Sequence, residues 1–473
     1  MVSNRAISFI KSISYTVSVN IFSLAVSLLT VIILPKVIGV TEYSYWQLYL
    51  FYSSYIVFIS LGWCDGIYLR FGGYEYDDLP KRELNTQFYS MAVYLFFSIS
   101  IILTFIFIND FENNKKYVLI STCFGGLIYI CRIFFQYILQ ATNKIKEYAK
   151  LMLFDRILFC VCLLAYFFTA DIEFEKLIII DILVKLITLI YVMFECKDII
   201  FSKLKSLNNA KTESIKNITV GIKLALANLA GILIVGIVQL GIELNWSVEV
   251  FGKISFTLSL NNMMLVFINA IGLVIFPLLC RASIDKLPEL YKYSVTLLSV
   301  PLLGIISFYY PIKLVLSLWL PNYSDALDYM ALLFPICFFE SKMSLIINTY
   351  MKVLRKEKIL LYINLVVVIM SIITSTLVFI LLHNLTLAVI SITFLLAIRC
   401  ILAELILSKI LKVSYNKNML LENLLCFIFI FLSWFIDSWF SVIIYLGLYT
   451  LLVYFNKKHI IETVKSVRFF IRN

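Results

Sequence analysis

The chain has 473 residues, 62% of them hydrophobic and only 15% charged. Soluble domains are about half apolar and a quarter charged, so this composition excludes a cytosolic enzyme, a disordered protein and a nucleic-acid binder. It does so despite 40 Lys and Arg against 29 Asp and Glu, a net charge of +11. At ~20 apolar residues per crossing, the length holds about fourteen helices with short loops and leaves no room for a sizeable soluble domain. The expected fold class is all-α, a polytopic membrane protein.

Apolar runs broken by charge, Pro or Asn predict spans at about 12–34, 44–69, 86–108, 117–140, 150–169, 176–195 and 218–241. They continue at about 253–279, 291–312, 327–350, 359–382, 385–408, 418–436 and 438–456, with Asp437 alone turning the final hairpin. The first run is too long for a signal-peptide core and lacks a small-residue cleavage site, so it is expected to stay as a membrane helix. The ten cysteines fall almost entirely in apolar runs without CxxC or Cys/His spacing, and the chain has two histidines. Neither a disulfide nor a zinc site is expected, and no cofactor.

Alternate connections collect the basic residues, from Arg5 and Lys11 at the start to Lys457, Lys458, Lys465, Arg468 and Arg472 at the end. The opposite connections hold only Lys36, Lys115, Lys116, Lys176, Lys253 and Lys313. Cytoplasmic loops carry the positive excess, so both termini are expected in the cytoplasm. The polar, basic connection 197–217 divides the first twelve helices into lobes 1–196 and 218–410, leaving 411–473 as an extra helix pair and cytoplasmic tail. The lobes echo one another: Gln140-Ala141-Thr142-Asn143-Lys144-Ile145-Lys146 closes the fourth helix, and Lys352-Val353-Leu354-Arg355-Lys356-Glu357-Lys358 closes the tenth. Six helices per unit make a parallel repeat.

Polar residues inside the spans mark a candidate path. Ser12, Thr16, Asn20, Ser23, Ser27 and Thr30 form one stripe on the first helix. Asn228 and Gln239 share a face of the seventh, and Asn262 and Asn269 a face of the eighth. Interhelical hydrogen bonding is the plainer reading of such stripes, a shared polar cavity the functional one. Charges say more. Arg132, Arg156, Lys185, Lys223, Lys342 and Arg399 fall within spans, with Asp65, Asp155, Asp181, Glu340 and Glu404. Six cations facing lipid would cost roughly 15–20 kcal/mol, so they face protein, water or the interface. Asp181 and Lys185, four apart, are placed to neutralise each other. Arg156 and Lys223 lie near the cytoplasmic end, from which long side chains snorkel. A path lined this way favours an anionic headgroup, because fixed Lys and Arg offset the dehydration of a phosphate. Asp65, Asp155, Glu340 and Glu404 are candidate ion-coupling groups.

Several segments carry a resemblance: Pro35-Lys36-Val37-Ile38-Gly39 running into Glu42-Tyr43-Ser44-Tyr45-Trp46; Leu61-Gly62-Trp63-Cys64-Asp65-Gly66 leading to Arg70; Leu139-Gln140-Ala141-Thr142-Asn143-Lys144 with Tyr148; and Phe276-Pro277-Leu278-Leu279-Cys280-Arg281. With the six-plus-six layout they resemble the Wzx-type oligosaccharide flippases of the multidrug/oligosaccharidyl-lipid/polysaccharide exporter superfamily. Ser44 stands where such proteins commonly have Gly, and the first helix lacks the arginines of the related lipid II flippases. The resemblance implies a bacterial inner-membrane protein that flips an undecaprenyl-pyrophosphate-linked oligosaccharide, an O-antigen or other polysaccharide unit, by alternating access. Its implied partners are that substrate, membrane lipids and other polysaccharide-assembly membrane proteins. The last helix pair would correspond to one that forms a lipid-tail groove in the lipid II flippases. No covalent chemistry is needed, and no nucleotide-binding or nucleophile motif is present. The alternatives are a membrane polymerase or ligase of lipid-linked glycans, for which the outer loops are short, and an ion-coupled exporter of small molecules from the same superfamily.

Overall fold

The computed structural model describes residues 22–142, 144–168, 173–204, 207–281, 287–413 and 417–457, with the side chains of 207–210, 266–281 and 417–418 left aside. Helices dominate, and no strand occurs among the described residues. The chain divides into two compact units, Met1–Leu229 and Ala230–Asn473.

In the first unit α1 (Phe22–Ile38), which includes a π turn at Leu29–Ile33, is followed by α2 (Val40–Ser60) and α3 (Trp63–Arg70), which meet at a 62° bend. The bend is a backbone event: Leu61 and Gly62 both take the left-handed conformation, at φ +51° and +76°, which ends a helix and reverses its direction. α4 (Lys81–Ile108), α5 (Asn113–Ala141), α6 (Ile145–Phe167) and α7 (Phe174–Glu195) complete the unit, with the first part of α8 (Leu207–Asn245). α5 is its axis, packed against α2, α3, α4, α6 and α7. Phe88, Phe134, Phe135 and Trp63 fill the core around it. α4 turns Phe96, Ile101 and Ile108 outward, as a lipid-facing helix does. α3 reaches α8 without side chains between them: a methyl group on Gly66 would collide with the backbone of Asn217, and one on Gly221 with the backbone of Gly62 and Gly66. Gly62 and Gly66 form the small-xxx-small spacing that lets membrane helices approach closely. Arg70 fastens the seam, 2.6 Å from the Glu213 carboxylate and 2.5 Å from Asn217 Oδ1.

The second unit continues with α9 (Val248–Arg281), α10 (Leu287–Ile306) and α11 (Tyr309–Trp319). α12 (Pro321–Leu333) and α13 (Ile336–Val353) meet at 44°, and α13 carries a π turn at Met343–Ile347. α14 (Glu357–Leu382), α15 (Leu385–Ile410), α16 (Lys417–Phe435) and α17 (Trp439–Phe455) follow. α15 starts on a side-chain cap, Asn384 Oδ1 accepting from Leu387 N. The expected turn at Asp437 is present: it separates α16 from α17 at φ +37°, and its carboxylate lies 2.8 Å from Lys313 Nζ. Tyr445 and Tyr449 on α17 donate to the carbonyls of Leu303 and Val300 on α10, which ties the last pair into its unit.

Seven helices among the described residues are long and apolar enough to cross a membrane, or nine when each bent pair counts as one span. α1, α16 and α17 are shorter apolar helices. The echoing helix ends also share a local geometry: Lys144 N donates to Leu139 O and Lys356 N to Met351 O, the six-to-one closure of a Schellman turn.

Candidate functional site

The first unit holds an open cavity of about 400 Å³ bounded by α1, α2, α5, α6 and α7. Helical spacing brings its charges together. Tyr129 and Arg132 are three apart on α5, Asp155, Arg156 and Phe159 cluster on α6, and Asp181, Val184 and Lys185 share a face of α7. Ser27 and Thr30 of α1 and Trp46, Ser53 and Ser54 of α2 close the opposite wall.

Two of the three cations are paired. The Arg132 guanidinium donates to Asp155 Oδ1 and, at 3.1 Å, to Thr188 Oγ1. Lys185 Nζ lies 2.6 Å from Asp181 Oδ2, and Tyr49 Oη donates to the same oxygen at 2.6 Å. The Tyr129 ring serves both cations, 5.0 Å from Arg132 Cζ and 5.4 Å from Lys185 Nζ, an arrangement that favours positive charge. Arg156 is different. It forms no ion pair or hydrogen bond among the described residues, and its Nε is buried without an acceptor. Three cations against two carboxylates leave the lining with one net positive charge. The cavity is chemically suited to hold an oxyanion against a fixed guanidinium.

No protein-family model matches the sequence, and no curated protein resembles it closely enough to match. Solved structures do. The lipid II flippase MurJ in an inward closed conformation aligns with TM-score 0.61 at 11% identity, over 95% of this chain and 100% of that one. An inward-facing multidrug resistance MATE family transporter of the MOP superfamily aligns with TM-score 0.60 at 13% identity, over 84% and 100%. A MOP superfamily transporter from Pyrococcus furiosus Vc1, described by a reversed polarity of its binding pocket, aligns with TM-score 0.51 at 13% identity, over 85% and 96%. The chain shares the fold of these structures. That is a multi-pass membrane fold, and the neighbours are transporters and a flippase.

Within this fold the residues singled out in the sequence separate into groups. Arg132, Arg156, Lys185 and Asp155 share the first-unit cavity. Lys223 lies exposed on α8, outside the lining. Asp65, in the first turn of α3, forms no side-chain ion pair among the described residues. Lys342 and Arg399 belong to the second unit and are both paired. Arg399 donates to Glu340 at 2.8 Å and to Asn364 at 2.9 Å. Lys342, 1% exposed, sits 2.7 Å from Glu404 and 2.9 Å from Glu422.

Among the neutral candidates, Ser23 accepts from Ser27 through its backbone, and Gln239 reaches Ser255 Oγ at 3.4 Å. Asn228 and Asn262 are exposed. The buried amide of that turn is Asn261, which donates to Leu333 O. Thr16 and Asn20 lie outside the described residues, as does the side chain of Asn269. Sequence reasoning passed over Tyr49 and Thr188, whose partners Asp181 and Arg132 are far away along the chain, and over Tyr129. It also passed over Glu422.

Proposed function

We propose that the protein is a flippase. It moves an undecaprenyl-pyrophosphate-linked oligosaccharide, an O-antigen or other surface-polysaccharide repeat unit, from the cytoplasmic to the outer leaflet of the bacterial inner membrane by alternating access. The observation that carries this reading is Arg156, a half-buried cation without a counter-charge among the described residues, on the wall of an open cavity inside a transporter fold. A partly desolvated cation gains from a counter-charge, and an anionic headgroup supplies one. Its phosphate oxygens match the two-pronged donor geometry of a guanidinium. Trp46 and Phe159 stack with ring centroids 6.3 Å apart in the lining, and with the serine hydroxyls they offer a sugar both flat apolar faces and hydrogen bonds. A cavity of this size takes a pyrophosphate and an adjoining sugar. A cationic drug would meet like charge there, which disfavours export of such compounds. In this reading both termini are cytoplasmic, and the lipid-linked substrate, membrane lipids and other polysaccharide-assembly membrane proteins are the partners.

The deciding experiment loads sealed vesicles with lipid-linked oligosaccharide on the face equivalent to the cytoplasm and counts sugar heads reaching the other face with an impermeant lectin. Protein-dependent transfer that falls in Arg156→Gln supports the reading. Absence of transfer of several glycans by well-folded protein overturns it, and export of small molecules is then tested in the same vesicles.

A further inference from the structure

The second unit contains a charge imbalance that the first-unit cavity does not explain. Lys342 on α13, Glu404 on α15 and Glu422 on α16 meet in a space closed to solvent, with exposures of 1%, 0% and 5%. One ammonium faces two carboxylates, so full ionisation leaves a net negative charge in the interior. Two carboxylates sharing one site do not both ionise without compensation, and an uncompensated buried ion costs several kcal/mol.

The hydrogen bonds show where the imbalance lies. Glu422 Oε2 accepts from Lys342 Nζ at 2.9 Å and from Ser299 Oγ at 2.9 Å. Glu404 lies 2.7 Å from the same ammonium, yet neither of its oxygens accepts a directed hydrogen bond. Tyr291 on α10 is 0% exposed, its hydroxyl has no hydrogen-bond partner among the described residues, and it is within electrostatic reach of Glu404 and Lys342. The other titratable groups facing the triad are Cys400 on α15 and Cys426 on α16, with Tyr350 edge-on to Tyr291. The neighbouring Glu340 and Arg399 balance each other. On the described part of α9, which also packs on α13, Glu249 and Lys253 lie at the start of the helix, where Lys253 pairs with Asp325.

We propose that the Lys342–Glu404–Glu422 triad is a proton-binding site that holds one proton between its two glutamates. The bound proton makes the triad neutral. The existence of the site stands apart from the flippase reading. Only its use, as the point where proton uptake joins a transport cycle, rests on that reading.

The test is infrared spectroscopy of the full chain in lipid vesicles at neutral pH. The wild-type protein should show the carbonyl-stretch band of a buried carboxylic acid, shifted in heavy water. Glu404→Gln and Glu422→Gln should each lose it, because the remaining glutamate then ionises against Lys342. Glu340→Gln should keep it, and Lys342→Met should strengthen it about twofold, with both glutamates neutral. Each single glutamine variant keeps the triad neutral and should melt within a few degrees of wild type, while the double variant strands the ammonium and should lose far more than the sum. A wild type without the band, a band that survives both single changes, or failure of both single variants to fold overturns the proposal. So does stabilisation by sodium in a protein lacking the band, which would place a metal ion where the proton is assigned. A chain that keeps the band but moves no oligosaccharide retains the triad and loses only the flippase reading.

Discussion

Asp155 and Arg156 are neighbours on one helix turn, and only the first is matched: Asp155 accepts from Arg132, whereas Arg156 has no partner among the described residues. On the flippase reading, the two residues divide structure from binding on one wall of the cavity.

That division predicts opposite phenotypes. Arg156→Gln should lower transfer of lipid-linked oligosaccharide several-fold and leave the melting temperature near wild type, since no ion pair is lost. Arg132→Gln strands Asp155 and should destabilise by up to about 3–5 kcal/mol, the range for a broken buried pair, at the lower end because Asp155 borders the cavity. Thermal unfolding in detergent and the lectin assay in vesicles, run on both variants, read the two effects separately.

Tyr49 is the second support of the Lys185–Asp181 pair. Tyr49→Phe removes a 2.6 Å hydrogen bond to a carboxylate and should cost about 1.5–3 kcal/mol, the range for bonds to charged groups. A double-mutant cycle with Asp181→Asn should then recover most of that loss as coupling energy. Additive losses would show that the two groups act independently.

The glycine seam separates steric from conformational cost. Gly39→Ala meets nothing within 4 Å, and its penalty is the backbone at φ +78°, ψ 174°, an almost glycine-only region that costs about 1–3 kcal/mol. Gly66→Ala drives a methyl into the Asn217 backbone and should lose distinctly more stability, with reduced insertion or expression. Equal behaviour of the two variants in a melting experiment would exclude backbone contact at the seam.

One carboxylate outside the spans has a pH signature. Burial opposes ionisation of Asp198, but hydrogen bonds from Lys81 at 2.6 Å and Tyr76 at 2.8 Å outweigh it and hold the carboxyl below its ordinary value. A depressed acid stabilises the fold above its unfolded pKa and loses that contribution as pH falls through the folded one. Acid unfolding of wild type should therefore steepen below about pH 4, and Asp198→Asn should be less stable at neutral pH with a flatter acid limb.

Much of this was legible in the sequence because the bilayer writes its thickness into the chain. Runs near twenty apolar residues located the helices, and the Asp181–Lys185 pair followed from a four-residue spacing. The bend at Leu61 was hidden inside the span 44–69, because a left-handed leucine has no compositional mark. Arg132 and Asp155 were both visible as intramembrane charges, yet their pairing joins residues 23 apart on different helices. Arg156 had two readings in the sequence, a path cation or one snorkelling from a helix end, and only the packed helices show the cavity it lines. Glu422 carried no signal at all until α16 was placed against α13.

The π turn at Met343–Ile347 begins at the residue after Lys342. Such a turn carries one residue more than an α-helical turn needs, and one residue corresponds to about 100° of rotation. Tightening that turn to α-helical winding would swing Lys342 round relative to the remainder of α13 and away from Glu404 and Glu422. A rotation of about a quarter-turn in a single helix, with a shift of about 1.5 Å along its axis, would be enough to make or break the triad.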